Sequence, residues 1–136
     1  MLRDGHAFEY LLIPRRLRDV SNSNGPQIPS VRKRNPTNRA YLHSDELAKR
    51  GLERGDLVTI RSSHGEARFV IDSDNDLRHG VVSVAHGWGD LPEDGADPWK
   101  NGTCVNLLID ADRHYEAINA MPHFSAVPVD IQKSEP

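Results

Sequence analysis

No apolar stretch of this chain is longer than a short strand. Its aliphatic and aromatic residues come in brief runs at residues 8–13, 57–61, 67–71, 81–84, 105–109 and 126–131. Most are cut off by proline, glycine or a small polar residue. Runs of this length, rich in Val, Ile and Leu and bounded by turn formers, read as strands. Short strands leave costly unpaired edges unless the sheet closes on itself, so the pattern predicts a mostly β barrel with a small helical part. Pro14 should end the first strand, and Pro26, Pro29 and Pro36 should keep residues 26–37 irregular. Ser63-His64-Gly65-Glu66 reads as a hairpin turn, and 72–80 as a polar, turn-like connection. One segment, 42–51, reads as a helix. Ser44 stands where it can cap, Asp45 and Glu46 suit the positive end of the dipole, Lys49 and Arg50 suit the other, and Gly51 suits the left-handed position that closes a helix.

The length of 136 residues fits one domain and suffices for a core without metal or disulfide staples. Cys104 is the sole cysteine, which excludes an internal disulfide and fits a reducing, cytoplasmic setting. Tyr10-Leu11-Leu12-Ile13 is too short and too acidic upstream for a signal peptide, and no stretch approaches the roughly 18 apolar residues of a membrane span. Residues 1–7 and 133–136 read as flexible ends, and 90–102 as a mobile acidic loop.

Charge is unevenly spread. Residues 1–40 carry eight basic and three acidic side chains, a balance of +5; the remainder carries −8, for a net charge of −3. The basic third suits a solvated surface or a phosphate-bearing partner, either a nucleotide or a nucleic acid. Only eight aromatics are present, few for the stacking platforms of a nucleic-acid-binding barrel. The seven histidines are scattered, without the helical i, i+4 pairing of a zinc site. Nucleotide-binding glycine loops and a nucleophile elbow are missing, and Cys104 sits inside an apolar run, so the isolated chain is not expected to be catalytic.

Two constellations remain. Arg15, Arg16, Arg18, Asn22 and Ser23 share the loop after the first strand, where guanidinium forks and neutral donors suit phosphate oxygens as well as they suit solvent. His86-Gly87-Trp88-Gly89 closes a strand with two glycines around an aromatic, which fits close backbone approach to a ligand or a tight turn with Trp88 in the core.

The order of these features resembles the C-terminal dinucleotide-binding domain of the molybdopterin oxidoreductase family, which includes formate dehydrogenases, nitrate reductases and dimethyl sulfoxide reductases. The resemblance rests on the Arg/Asn/Ser loop, the segment from Leu42-His43-Ser44-Asp45-Glu46-Leu47 to Gly55-Asp56-Leu57-Val58, and the hairpin Ser62-Ser63-His64-Gly65. It continues through Leu77-Arg78-His79-Gly80-Val81-Val82, His86-Gly87-Trp88-Gly89, Asn106-Leu107-Leu108 and Met121-Pro122, so it spans residues 8–132. It implies a double-psi β-barrel with one or two short helices. It also implies a role in binding molybdopterin guanine dinucleotide, with molybdenum or tungsten held by the rest of the enzyme. Arg15, Arg16, Arg18, Asn22, Ser23, His86, Gly87, Trp88, Gly89, Asn106, Met121 and Pro122 are then the expected cofactor contacts. The expected partners are the remaining domains or large subunit of such an enzyme. A stand-alone nucleotide- or nucleic-acid-binding barrel is the competing reading. An autoprocessed, decarboxylase-like barrel lacks the Gly-Ser step it would need.

Overall fold

A computed structural model describes residues 2–3, 5–89 and 97–135. The acidic part of the expected mobile loop, 90–96, lies outside them. The first described residues form a small antiparallel hairpin, β1 (Leu2–Arg3) with β2 (His6–Ala7). The other strands are β3 (Tyr10–Arg15), β4 (Ala40–Leu42), β5 (Leu57–Arg61), β6 (Glu66–Ser73), β7 (Val81–Ala85) and β8 (Val127–Lys133). They close into a barrel in the order β3-β7-β4-β6-β5-β8. Two pairs, β3 with β7 and β4 with β6, are parallel, and the remaining pairs are antiparallel. This is the mostly β, double-psi barrel with two short helices that the resemblance implied.

The barrel holds because its strands turn apolar side chains inward, by alternation in β5 and by longer buried runs in β6, β7 and β8. In β5 the inward Val58 and Ile60 are wholly buried while Arg61 faces water. Phe69 and Ile71 of β6, Val82 and Val84 of β7, and Val127, Val129 and Ile131 of β8 meet them in one core with Leu12 and Leu42. Each such side chain contributes about 1.5–3 kcal/mol on burial. The Ser62–Gly65 turn joins β5 to β6 as expected, with the Ser62 N–H donating to the Gly65 carbonyl at 2.8 Å.

Four local expectations need correction. Pro14 does not end β3; the strand continues to Arg15. The Leu11 N–H points at β7, where it meets the Gly80 carbonyl, so odd positions of β3 donate toward β7 and even ones toward β8. Pairing with β8 stops at Leu12, so the missing N–H of Pro14 faces a side with no ladder. Residues 26–37 are not irregular throughout: α1 (Pro29–Arg34) begins on Pro29, whose fixed φ suits the first helical position and whose absent N–H is not needed there. Residue 42 belongs to β4, and the helix is α2 (Ser44–Lys49), capped by His43 and not by Ser44. His43 Nδ1 accepts the Asp45 N–H at 3.1 Å, and the Ser44 N–H is taken by Asn75 Oδ1 at 3.0 Å. Gly51 closes α2 at φ 64°, as its position suggested. Finally, 105–109 is no strand. Val105–Leu108 is a 3-10 turn, because every strand of the closed barrel already has two neighbours and none is left to pair with it. Buried Leu108 packs into the core instead, and the Leu108 carbonyl accepts from the Ser62 hydroxyl at 2.8 Å.

Candidate functional site

Parallel pairing sets the site. β3 and β7 run side by side from Leu11↔Val81 to Arg15↔Ala85, so both finish at one rim of the barrel. The arginine loop that follows β3 and the His86–Gly89 loop that follows β7 therefore leave the barrel together. His86 Nε2 and Asn22 Oδ1, 3.2 Å apart, link the two loops.

A cleft of about 210 Å³ opens at this rim. Leu12, Ile13, Pro14, Val84, Val105, Ile109 and Phe124 form its apolar walls, and Arg16, Asn22, His86 and Asn106 supply its polar groups. A narrow gap lined by Arg15, Arg16, Asn22, His86 and Trp88 shares Arg16, Asn22 and His86 with this cleft and Trp88 with a second hollow of about 310 Å³. Ser23, Gln27, Arg32, Gly87, Trp88, Gly89 and Asn101 line that hollow. Among the described residues, no carboxylate lines any of the three spaces.

The glycines serve the protein's own packing. A Cβ on Gly87 would stand 2.3 Å from the Asn22 carbonyl oxygen, and one on Gly89 would stand 2.3 Å from the Cys104 nitrogen. Both residues also hold positive φ, 97° and 88°, which side chains resist. The His86–Gly89 loop is thus pressed between the arginine loop and the segment around Cys104. Trp88 is buried between them, and its indole Nε1 has no hydrogen-bond partner in the described structure. Of the two readings of this motif, the tight turn with an inward Trp88 describes its local structure.

A residue the sequence did not single out braces the rim. Asn38, almost wholly buried, donates to the Ala85 carbonyl at 2.7 Å and the Thr103 carbonyl at 2.8 Å, and accepts the Thr103 N–H at 2.8 Å. Phe124 and Arg32 were also missed. Phe124 stands two residues past Met121-Pro122 as a lone aromatic with nothing local to mark it, and Arg32 sits in a basic run that reads equally well as solvated surface.

The arginines separate by their partners. The Arg15 guanidinium is 2.7 Å from Asp74 and stacks 3.9 Å from the centre of the Tyr41 ring. That hydrogen bond, with the Asp76 N–H, holds the Asp74 carboxyl below its usual range. Arg16 faces the cleft without an ion-pair partner among the described residues. Arg18 is exposed and lines none of the three spaces. Met121 and Pro122 lie off the cleft, in a loop cross-linked by the Tyr115↔Pro122 bridge and by the Glu116 N–H on the Met121 carbonyl. The structure thus brings together Arg15, Arg16, Asn22, Ser23, His86, Gly87, Trp88, Gly89 and Asn106 along one strip, and leaves Arg18, Met121 and Pro122 outside it.

Residues 10–128 match the family described as molydopterin dinucleotide binding domain. The chain belongs to that family. It is 30% identical over 126 residues to a dopamine dehydroxylase of Eggerthella lenta and, at the same identity, to an uncharacterized oxidoreductase of that organism. Each match covers 90% of this chain, and the chain spans only 12% of the length of those relatives. Acetylene hydratase from Pelobacter acetylenicus shares the fold, with a TM-score of 0.78 at 18% identity over 93% of this chain and 18% of the hydratase. The molybdopterin-binding domain has no described helix long and apolar enough to cross a membrane.

Proposed function

We propose that the barrel binds the guanine-dinucleotide form of molybdopterin and positions it, as the C-terminal domain or small subunit of a molybdenum or tungsten oxidoreductase. The observation that carries this reading is the composition of the rim strip. Apolar walls suited to a flat ring stand beside Arg16, Asn22, His86 and Asn106, with no carboxylate among the described lining residues to repel phosphate. The donor set therefore fits the group.

Arg16 would hold phosphate oxygens with its two-pronged fork, while Asn22, Ser23 and Asn106 would supply neutral hydrogen bonds. Arg15, committed to Asp74, would contribute its field more than a direct contact. Gly87, Trp88 and Gly89 would shape the wall, and the buried Trp88 Nε1–H is a donor still to be satisfied. Arg18, Met121 and Pro122 enter this reading as outer contacts, reached when the rest of the enzyme closes over the rim. When bound, the cofactor carries the redox or oxygen-transfer chemistry through its metal; this chain orients it and keeps water away. The short share of the relatives' length that the chain spans supports a partner made of the remaining domains. We place the domain at residues 8–132, with 1–7 and 133–136 as its ends, in a cytoplasmic enzyme.

The stand-alone nucleic-acid reading is not favoured. Arg15, Arg34 and Arg39 of the basic third are taken up by Asp74, Asp19 and Asp72.

The test is calorimetric titration of the chain with GDP, ADP and pyrophosphate. We expect GDP to bind more tightly than ADP, and Arg16→Gln to weaken GDP by about 10–100-fold, the loss of one charge-assisted hydrogen-bond pair. Equal affinities for GDP and ADP that are untouched by Arg16→Gln would overturn the proposal.

A further inference from the structure

A second group of ligand-bearing side chains lies away from the rim, where α2 begins and where the connection from β6 to β7 ends. None of its members lines the cleft or the hollow beside it. His43 and Asp45 come from the start of α2, and His79 comes from the loop before β7. Asp45 Oδ2 is 3.6 Å from His43 Nδ1 and 3.5 Å from His79 Nε2, and the three donor atoms all lie within 4.8 Å of one another. The two imidazole centres are 4.3 Å apart.

These separations are long for hydrogen bonds, which fall near 2.7–3.2 Å. They are close to the spacing of two ligands on one metal. Bonds of about 2.0–2.1 Å in a tetrahedron put neighbouring donor atoms about 3.3 Å apart. A contraction of a few tenths of an ångström would bring Asp45 to each imidazole, and the two ring nitrogens, within 4.8 Å of one another, would close by up to about 1.5 Å.

The group behind His79 is an independent sign. Its other ring nitrogen, Nδ1, faces Glu46 Oε1 at 3.5 Å, and Glu46 is buried and held by the Tyr10 hydroxyl at 2.7 Å. Metal-binding histidines usually offer their second N–H to a carboxylate, which fixes the tautomer and turns the free lone pair toward the metal. The Tyr10–Glu46–His79 chain has that order, with Nε2 turned toward Asp45, and its 3.5 Å step would shorten to a hydrogen bond when the metal binds.

From this geometry we propose that His43, Asp45 and His79 form a surface site for a borderline divalent cation of the zinc type, separate from the dinucleotide cleft. Two neutral imidazoles and one carboxylate are a donor set that suits zinc better than magnesium or calcium. Asp45 and His79 are more than half exposed, so water completes the coordination. His43 Nδ1 exchanges its hydrogen bond from the Asp45 N–H for a bond to the metal. The bound ion clips the 74–80 connection to the start of α2. Residues 36 positions apart in sequence form this site, which is why no spacing motif announces it.

The test uses the full chain, prepared with chelator and then titrated with Zn²⁺ by calorimetry and with Co²⁺ by visible absorption. The expected result is one saturable site per chain, with cobalt ligand-field bands. His43→Asn, which keeps a capping side chain, and Asp45→Asn and His79→Gln should each weaken binding by about tenfold or more. Glu46→Gln, which leaves all three ligands in place, should weaken it by about 10–100-fold without changing stoichiometry. His64→Gln and His123→Gln serve as controls and should bind as the parent does. Circular dichroism confirms that each variant is folded. Uptake without a single saturable site, or one site indifferent to His79→Gln and Asp45→Asn, would overturn the proposal.

Discussion

Asn38→Ala should be among the most damaging single changes at the rim. Asn38 is 2% exposed and makes three hydrogen bonds, two donated to the Ala85 and Thr103 carbonyls and one accepted from the Thr103 N–H. Truncation removes all three and leaves a buried N–H and two carbonyls without their partner. Each net hydrogen bond contributes about 0.5–1.5 kcal/mol, and an orphaned buried group costs about 1–3 kcal/mol. Water entering the space would satisfy some of these groups, so the expected loss is about 3–5 kcal/mol, a large part of a typical domain's 5–15 kcal/mol. The melting temperature should fall by about 10–20 °C. Urea denaturation followed by tryptophan fluorescence and by circular dichroism measures this, with buried Trp88 close to the change. Asn38→Asp keeps the acceptor but turns a carboxylate toward two carbonyls, and should be at least as harmful. A loss below about 1 kcal/mol for Asn38→Ala would refute the claim that this side chain braces the rim.

Three further outcomes follow from the same geometry. Gly87→Ala puts a Cβ 2.3 Å from the Asn22 carbonyl at φ 97°, so it should destabilise by at least about 2 kcal/mol and weaken GDP binding; a neutral urea midpoint would contradict the packing described. Stability should fall as the pH drops from about 4 toward 2. The Asp110 carboxyl, bonded first by the Arg113 N–H and also by the Asp112 N–H and the Arg113 side chain against the opposing effect of burial, is pulled down to about 2. Asp74 is lowered by Arg15, and Asp72 is lowered because Arg54, the Ser73 N–H and Arg39 outweigh its burial. Each binds its proton more weakly folded than unfolded, so the stabilisation is lost on acidification. A urea midpoint unchanged down to about pH 2.5 would show that these contacts contribute nothing. Arg15→Ala should lower stability at neutral pH and shrink the loss on acidification, because Asp74 loses the hydrogen bond that lowers it, and should reduce GDP affinity less than Arg16→Gln does. An equal or larger effect on GDP would mean that Arg15 leaves Asp74 to contact the ligand.

The barrel was legible because its strands announce themselves locally. Leu57–Arg61 alternates cleanly, and the turn at Ser62–Gly65 supplies the residues a hairpin needs. What escaped reading depended on distant partners. Ala40–Leu42 is too short to show alternation and is a strand only because β6 and β7 flank it. Val105–Leu108 has the composition of a strand, yet the closed barrel offers it no edge. Pro29 reads as a breaker until its place at the first position of α1 is known. The rim strip follows the same rule. The loops carrying Arg16, Asn22 and His86 were visible, but only the parallel register of β3 and β7 brings them to one place. Asn38 and Phe124 act through contacts with segments that no spacing rule connects to them.

The most direct measurement of the central claim is an amide-shift map of the labelled chain titrated with GDP, with ADP as control and salt raised at the end point. The account predicts saturable, GDP-selective shifts at Arg16, Asn22, His86, Trp88 and Asn106 that survive added salt. Equal shifts for both nucleotides that are confined to exposed basic residues off the strip, such as Arg18, Lys33 and Arg34, and are erased by salt would contradict it. The basic third would then be a general phosphate-attracting surface, and the rim cleft would not be a dinucleotide site.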